Sequence, residues 1–461
     1  VGTELDQQHS AQFSPEAFAE FVCESFSIDW ETGEVLLNYA LTGPGEVVRF
    51  TERLTFPLPA SPVSDERRAH FAAILPLLHV VAGVSYFKAA APATVVAAAS
   101  PLTAAESEFA QQVYTLGLGE FAVRNDLRHV LDTSVSVTAG VEPDHPRIEG
   151  EPGDPLVPCG GGKDSIVSAE ILDARGYSPT LAAVNPNWAI REVAGISGHE
   201  LLAVSRRIDP ELIRLNGAGA RNGHVPVTAV NSLILVALAA LHGFGPVIMS
   251  NESSSSLPNL TWNSVDVNHQ WSKGLAAELL LQRALQSRTG LVGRYFSILR
   301  PFTELQIAQR FAAETRYDAV VTSCNTAFKL RDPAPPGKRW CRDCPKCRFV
   351  FLALAPFSTA ARLEGIFGGN MFDDPAQLSG FRELIGLGQH KPFECVGEVD
   401  ECLAALQRVA GQPDWQSRPV VQTLVADVGP GLASGNWGEV LNARGPASIP
   451  AEYAWVNDGL A

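Results

Sequence analysis

No stretch of this 461-residue chain approaches the roughly 20 apolar residues that a membrane-spanning helix needs. The most apolar segment, Ser232–Leu241, is too short and reads as a buried helix. The N-terminus has no basic region followed by an apolar one, so no secretory signal is visible and a cytoplasmic location is expected. Basic charge is scarce as well. Lys and Arg number 35 against 50 Asp and Glu, a formal charge of −15. That balance argues against general nucleic-acid binding. An anionic substrate would need a local basic pocket to overcome the overall field. The chain has no internal repeat. Its eight cysteines, in a chain expected to be cytosolic, point to thiols or metal and away from a disulfide framework.

What is present is a globular composition, 46% hydrophobic and 18% charged, long enough for two or three domains. Residues 1–18 are polar and expected to be loose. Phe21–Ile28, Glu34–Ala40 and Glu46–Phe56 alternate apolar with polar and predict an antiparallel meander, punctuated by Gly33 and by Gly43-Pro44-Gly45. Helices are expected over Asp65–Val81 and Ala104–Asn125, with a turn at 83–88 and a strand at Thr94–Ala98. This is an α+β N-terminal domain, 1–145, closed by a Pro/Gly-rich linker over 140–155. From Pro155 strands and helices alternate. Strands are predicted at Leu156–Pro158, Thr180–Val184, Ile213–Leu215, Pro246–Ser250 and Asp318–Thr322. Helices are predicted at Ile166–Arg175, Thr228–Leu241 and Thr303–Glu314. The alternation implies a doubly wound parallel α/β sheet over 150–365, with ligands bound beyond the strand C-termini. Residues 366–461 form a small C-terminal extension with a helix at Val399–Val409 and no readable chemistry.

The densest signal is Pro155-Leu-Val-Pro-Cys-Gly-Gly-Gly-Lys-Asp-Ser165. A strand end, three glycines and a helix start present backbone N–H groups to a phosphate. Gly160, Gly161 and Gly162 let the main chain approach an anion, Lys163 adds positive charge, and Asp164 and Ser165 follow in the first turn. The loop is not a Walker A sequence. Cys324, Cys341, Cys344 and Cys347 have the spacing of a closed structural zinc site. Free buried thiols and a thiol pair exchanging an α-proton are the alternatives. Ser250–Ser256 and Asn268–Lys273 are polar, non-periodic stretches on the ligand face. In them Asn251 is a candidate ligand contact, Glu252 could help hold Mg2+, His269 is a candidate acid or base, and Lys273 supplies an ammonium. Asn185, at the end of a strand, belongs to the same candidate face. Lys329, Arg331, Lys338, Arg339 and Arg342 form a basic stretch suited to phosphates or carboxylates.

The glycine loop resembles the Ser-Gly-Gly-x-Asp-Ser loop of the PP-loop ATP pyrophosphatases, with Cys159 in place of the first serine. The cysteine pattern is similar to the zinc cysteines of 7-cyano-7-deazaguanine synthase, with a longer first gap. Taken in order, residues 83–88, 158–165, 250–252, 267–273 and 340–347 closely resemble one family, the ATP-dependent UDP-N-acetyl-α-D-muramoyl-L-alanyl-L-glutamate epimerases. The resemblance implies inversion of a terminal L-Glu on UDP-N-acetylmuramoyl-L-alanyl-L-glutamate, with ATP cleaved to AMP and pyrophosphate and with Mg2+ required. It implies that Gly160–Ser165 and Asn185, Asn251 and Glu252 hold the nucleotide and that Asp164 supports Mg2+. Lys163, Asp164, His269 and Lys273 would serve the chemistry. Another adenylating enzyme of the same superfamily, or a nucleotide-binding regulator without turnover, stays open on the residues alone.

Overall fold

The computed structural model describes residues 13–139, 153–328, 339–388, 393–434 and 436–460. Its strands are β1 (Glu20–Asp29), β2 (Glu34–Gly43), β3 (Glu46–Thr55), β4 (Thr94–Leu102), β5 (Ser134–Ala139), β6 (Leu156–Pro158), β7 (Thr180–Val184), β8 (Leu201–Arg207), β9 (Val247–Met249), β10 (Leu260–Trp262), β11 (Val265–Val267) and β12 (Tyr295–Ser297). Ten of them form one sheet in the order β12-β9-β6-β7-β8-β3-β2-β1-β4-β5. The expected meander is β1–β3, paired antiparallel. The five strands from β12 to β8 are parallel. The fold is mixed α/β, with helices packed on the faces of a large sheet rich in parallel pairs.

Two predicted strands are corrected. Ile213–Leu215 lies inside the helix Pro210–Asn216, which Asp209 caps by accepting from the Glu211 amide. The third parallel strand is instead β8, whose alternation is blurred because its residues are mostly half-buried. Asp318–Thr322 is not in a ladder; it leaves the 3-10 turn Thr315–Tyr317 and gives its Thr322 amide to the Gly161 carbonyl, 3.1 Å away. The fifth parallel strand is β12, only three residues long, fully buried and therefore without alternation. The 83–88 turn contains a helical turn, Val84–Phe87. One more expectation changes. The segment Asp65–Phe87 is long and apolar enough to cross a bilayer by length and composition, but 78% of its apolar window is buried inside the fold. Most of the proposed linker, residues 140–152, lies outside the described residues.

The two halves of the sheet meet where β3 runs antiparallel to β8. Period-two alternation turns Phe50, Glu52 and Leu54 of β3 inward together. Glu52 is therefore a carboxylate with no exposure. Arg206 of β8 answers it with two bonds, Nε to Oε1 at 2.7 Å and Nη2 to Oε2 at 3.1 Å, and gives a third to Ser85 Oγ at 2.9 Å. Tyr86 adds to the seam by accepting from the Asp209 amide at 3.0 Å, while Gly83, just before it, packs inside the N-terminal half. A Cβ there would meet ring atoms of Phe21 and Tyr39 and the Tyr114 hydroxyl at 2.9 Å. The 83–88 motif thus joins the halves and does not line the parallel-strand crevice.

Apolar packing divides along the sheet. One core joins β1–β4 to the helices Asp65–Ala82, Val227–His242 and Leu275–Thr289. The other joins the helices Lys163–Ala174, Glu304–Phe311 and Pro345–Leu354 to the C-terminal residues, with Phe372, Trp415 and Leu424 fully buried. The described residues after Phe372 are in this way built into the second core, which brings Val399–Ala410 against the helix Glu304–Phe311, where Glu401 accepts from the Glu304 amide.

Removing one partner of a buried ion pair leaves the other uncompensated. Arg206→Ala should therefore cost about 3–5 kcal/mol, read as a lower urea midpoint. The Arg206→Met/Glu52→Leu pair should cost much less. Equal midpoints for wild type and Arg206→Ala would show that the seam does not rest on this pair.

Candidate functional site

The crevice lies beyond the C-termini of the parallel strands, at the switch point between β6 and β9. After β6 the loop turns through Gly161, at φ +80°, where a side chain would be strained. Gly162 caps the helix Lys163–Ala174, and a Cβ on it would sit 2.5 Å from Ser323 Oγ. At Gly160 a Cβ would meet nothing within 4 Å, so this part of the loop faces open space. Ser165 Oγ donates to the Gly162 carbonyl at 3.2 Å. The cavity beyond the loop measures ≈ 430 Å³ and is bounded by Gly160, Gly162, Asp164, Ser165, Asn251 and Glu252. Ser250 also lines it, and the buried Ser250 Oγ has no hydrogen-bond partner. An open cradle at a helix N-terminus with an unpaired hydroxyl suits a phosphate-bearing ligand.

Lys163 is not at the cavity wall. Its side chain, 1% exposed, passes beneath the loop and is held by Asp164 and Glu304. Burial works against its charge, but the two carboxylates overcome this and keep the ammonium protonated above the ordinary lysine value. Burial likewise opposes ionisation of Asp164, and Lys163 and Lys346 outweigh it, holding that carboxyl below its usual range. Glu304 is raised by burial in spite of Lys163. Its amide donates to Glu401 Oε1 at 2.6 Å, and burial together with Glu304 pushes Glu401 up to about 7.

Asn185 is turned elsewhere too. At φ +49° it bridges to Arg206, Nδ2 to the carbonyl at 2.7 Å and Oδ1 from the amide at 2.8 Å, and it closes β7 onto β8. Within the basic stretch, Arg339 pairs with Glu192 at 2.6 Å and lies over the Trp188 ring, and Arg342 donates to the Gly368 carbonyl. Lys329, Arg331 and Lys338 lie outside the described residues. Among the described residues, the positive charge at the cavity comes from Lys273 and Lys346.

The two polar stretches are brought together by Arg300, which is fully buried. It donates to the Glu252 carbonyl at 2.7 Å, to Ser255 Oγ at 2.8 Å and to the Lys273 carbonyl, and pairs with Glu278 at 2.9 Å. Asn268 Nδ2 adds a bond to the Ser255 carbonyl at 2.8 Å. The hairpin between the stretches, β10–β11, turns at Asn263 and Ser264, both with positive φ as a tight two-residue turn requires.

A second cavity of ≈ 440 Å³ adjoins the first and shares Thr228, Lys273, Asn325 and Cys395 with it. Its wall carries Glu120, His224 and His269, whose ligand atoms lie within 4.8 Å of one another. The trio is metal-sized, but Arg124, bonded to Glu120, and Lys273 crowd it with positive charge, which favours a shared proton. His269 Nδ1 bonds Glu120, and His269 shares the cavity wall with Cys395. Burial disfavours the imidazolium, yet Cys395 and Glu120 raise His269 to about 9. Lys273 Nζ lies 3.0 Å from Cys395 Sγ. Burial pushes that thiol up, and Lys273, His269 and Lys346 more than reverse it, to about 6.

Cys324, Cys341, Cys344 and Cys347 converge, all four sulfurs within 4.8 Å. Cys344 caps the helix Pro345–Leu354, and Pro345 opens that helix. Cys341 Sγ is 3.7 Å and Cys344 Sγ 3.4 Å from Cys347 Sγ. Zn–S bonds of about 2.3 Å set tetrahedral sulfurs about 3.8 Å apart, so the set fits a zinc ion. The amides of Asp343 and Cys344 donate to Cys341 Sγ, and that of Cys341 to Cys324 Sγ, as a thiolate cluster requires.

Of the expected site residues, the fold gathers Asp164, Ser165, Asn251, Glu252 and Lys273 at one cavity and His269 at its neighbour. Sequence reading missed Glu120, His224, Glu304, Lys346, Cys395 and Glu401. A lone Cys395 in a tail without motifs carried no signal.

A thiol held near 6 reacts where an ordinary one does not. The groups facing Cys395 are Lys273, His269 and Lys346, with Glu120, Glu394 and His224 on the same cavity wall. Alkylation of Cys395 by iodoacetamide, followed by peptide mass, should therefore rise with pH through about 6 and level off by pH 7.5. Lys273→Met should move that midpoint upward. A wild-type midpoint at or above pH 8 would show that the thiolate is not stabilised.

The MurL N-terminal domain model matches residues 12–298 and the MurL C-terminal domain model residues 320–436. A UDP-N-acetyl-alpha-D-muramoyl-L-alanyl-L-glutamate epimerase of Micromonospora sp. is 53% identical over 436 residues, 94% of this chain and 96% of the relative. One from Salinispora tropica is 52% identical over 94% of each chain. A third, from Xanthomonas oryzae pv. oryzae, is 41% identical over 88% of this chain and 89% of its own length. No solved structure matches the chain significantly. On identity of this extent across nearly the whole length, the chain belongs to the UDP-N-acetyl-α-D-muramoyl-L-alanyl-L-glutamate epimerase family.

Proposed function

We propose that this chain inverts the terminal L-Glu of UDP-N-acetylmuramoyl-L-alanyl-L-glutamate to D-Glu in peptidoglycan precursor synthesis, through an acyl-adenylate formed from ATP. AMP and pyrophosphate are the nucleotide products. The relatives are named for this substrate and reaction. The observation that carries the ATP-dependent part is the glycine loop: it opens on a cavity that runs directly into a second one holding an acid–base cluster. The parallel order, 5-4-1-2-3 when counted from β6, suits a PP-loop nucleotide fold.

The chemistry explains why ATP is spent. A free carboxylate is a poor electron sink, so the adjacent α-proton is hard to remove. Adenylation takes away its charge and makes the carbonyl electron-poor. A base can then accept the α-proton, an acid can return one to the opposite face, and water releases AMP. The N–H groups of Gly160–Ser165 hold the phosphates at the helix N-terminus. Asp164, with Glu252 across the cavity, would hold Mg2+, which neutralises phosphate charge. Lys163 fixes Asp164 from below, and Lys273 and Lys346 give an acidic protein the local positive field that an anionic substrate needs. The four cysteines would hold a structural zinc, tying residue 324, beside the glycine loop, to the helix Pro345–Leu354.

With the L-Glu-terminated substrate, ATP and Mg2+, and no amine donor, the chain should release AMP and pyrophosphate. Asp164→Asn should reduce turnover by about 10²-fold or more while the far-ultraviolet dichroism stays unchanged. ADP and phosphate as main products, or full activity in Asp164→Asn, would exclude this reading. Metal analysis should find one zinc per chain, and Cys347→Ser should lose the metal and melt at a lower temperature. Metal-free, fully active protein would mean that the sulfurs are free thiols.

A further inference from the structure

Accepting a proton from carbon requires a group that is unprotonated at neutral pH and open to the reacting atom. The groups able to exchange a proton at the junction of the two cavities or on the second wall are Lys273, Cys395, His269, Glu394, Glu120 and His224, of which only Lys273 and Cys395 border both cavities. Glu120 is taken up by Arg124 and His269, and His224, 3.5 Å from that carboxylate, lines the second cavity alone. Lys273 is held protonated, because Cys395 and Glu252 overcome its burial. His269, between Glu120 and Cys395, also keeps its proton at neutral pH. Glu394 lines only the second cavity, where it is bonded by Asn325 Nδ2, and burial raises its carboxyl. Cys395 alone of the anions borders both cavities. Its Sγ is held by Lys273 Nζ at 3.0 Å, its carbonyl is bonded by Lys346 Nζ, and His269 stands on the same cavity wall.

We propose that Cys395 is a catalytic residue of this enzyme, the base whose sulfur takes the α-proton from the L-glutamyl group at the junction of the two cavities. The proposal rests on the acyl-adenylate reading above. In the step the Cα–H bond breaks and an S–H bond forms. The C–H electron pair becomes a Cα=C bond, and the carbonyl π pair moves onto oxygen. Lys273, 3.0 Å from the sulfur, is placed to face that developing negative charge. Proton delivery to the opposite face then completes the inversion, and the Cys395 thiol loses its proton to restore the thiolate. His269, oriented by Glu120, is a positioning residue for the sulfur and a path for that proton.

Two readouts separate this role from the adenylation that precedes it. The first is substrate-dependent exchange of labelled pyrophosphate into ATP. The second is deuterium entry at the glutamyl α-carbon in D2O. Full-length Cys395→Ser and Cys395→Ala should keep pyrophosphate exchange within about threefold of wild type and lose deuterium entry by about 10²–10⁴-fold. In wild type, iodoacetamide should abolish deuterium entry in step with carbamidomethylation of Cys395, and ATP with substrate should protect it; this arm holds even where a variant folds poorly. Deuterium entry at the wild-type rate in Cys395→Ser overturns the proposal. Loss of entry in Glu394→Gln with retention in Cys395→Ser assigns the base to Glu394 instead. A hydroxylamine-labile glutamyl adduct on Cys395, seen by intact mass, would make the sulfur a nucleophile and overturn its role as base. Wild-type inversion without pyrophosphate exchange would overturn the acyl-adenylate reading and leave the test of Cys395 by deuterium entry standing.

Discussion

Lys163 takes a positive charge to a place that water does not reach, and much of the site follows from what must surround it. An ammonium with 1% exposure needs anions in contact, or burial would strip its proton. Asp164 comes from the same helix turn, but Glu304 comes from a helix 141 residues further on. Glu304 is in turn bonded through its amide by Glu401 and approached to 4.0 Å by Lys346. One buried charge therefore fixes the glycine loop and the helices Glu304–Phe311, Pro345–Leu354 and Val399–Ala410 relative to one another. The loop can stay open on its outer side because it is anchored on its inner side.

The same logic of buried charge recurs at two other joints. Glu52 and Arg206 close the antiparallel seam where the parallel half of the sheet meets the meander. Arg300 and Glu278 collect the loop after β9 and the stretch around Lys273. Each pair is costly to desolvate and costly to break. Their value here is geometric, since each fixes an approach between segments far apart in the chain. The seam also brings in Glu120 from the N-terminal half, so the acid–base cluster is assembled from both halves and from the C-terminal region.

Electrostatics then divides the labour between adjoining cavities. The protein is acidic overall, yet Lys273 lies at the junction and Lys346 beside it on the first cavity's wall, and both favour an anion at Cys395. The thiolate and the His269 imidazolium stabilise each other, which separates one acceptor from one donor at neutral pH. Neither state would persist alone in a half-buried wall.

The sequence determined the features that depend on neighbours in the chain. Alternation marked β1–β3, glycines and a helix start marked the anion cradle at 160–165, and close spacing marked Cys341, Cys344 and Cys347. These are local because strand faces, helix caps and metal turns are local. The order of motifs was specific enough to point to the family. Tertiary structure decided the rest. It made β8 and β12 strands, whose burial erases the alternation that would announce them. It turned Lys163 under the loop and Asn185 toward Arg206. It carried Cys395, from a region with no motif of its own, to within 3.0 Å of Lys273. A pKa belongs to the charges around a group, and those charges came from residues 120, 269, 273 and 346, which only the folded chain brings together.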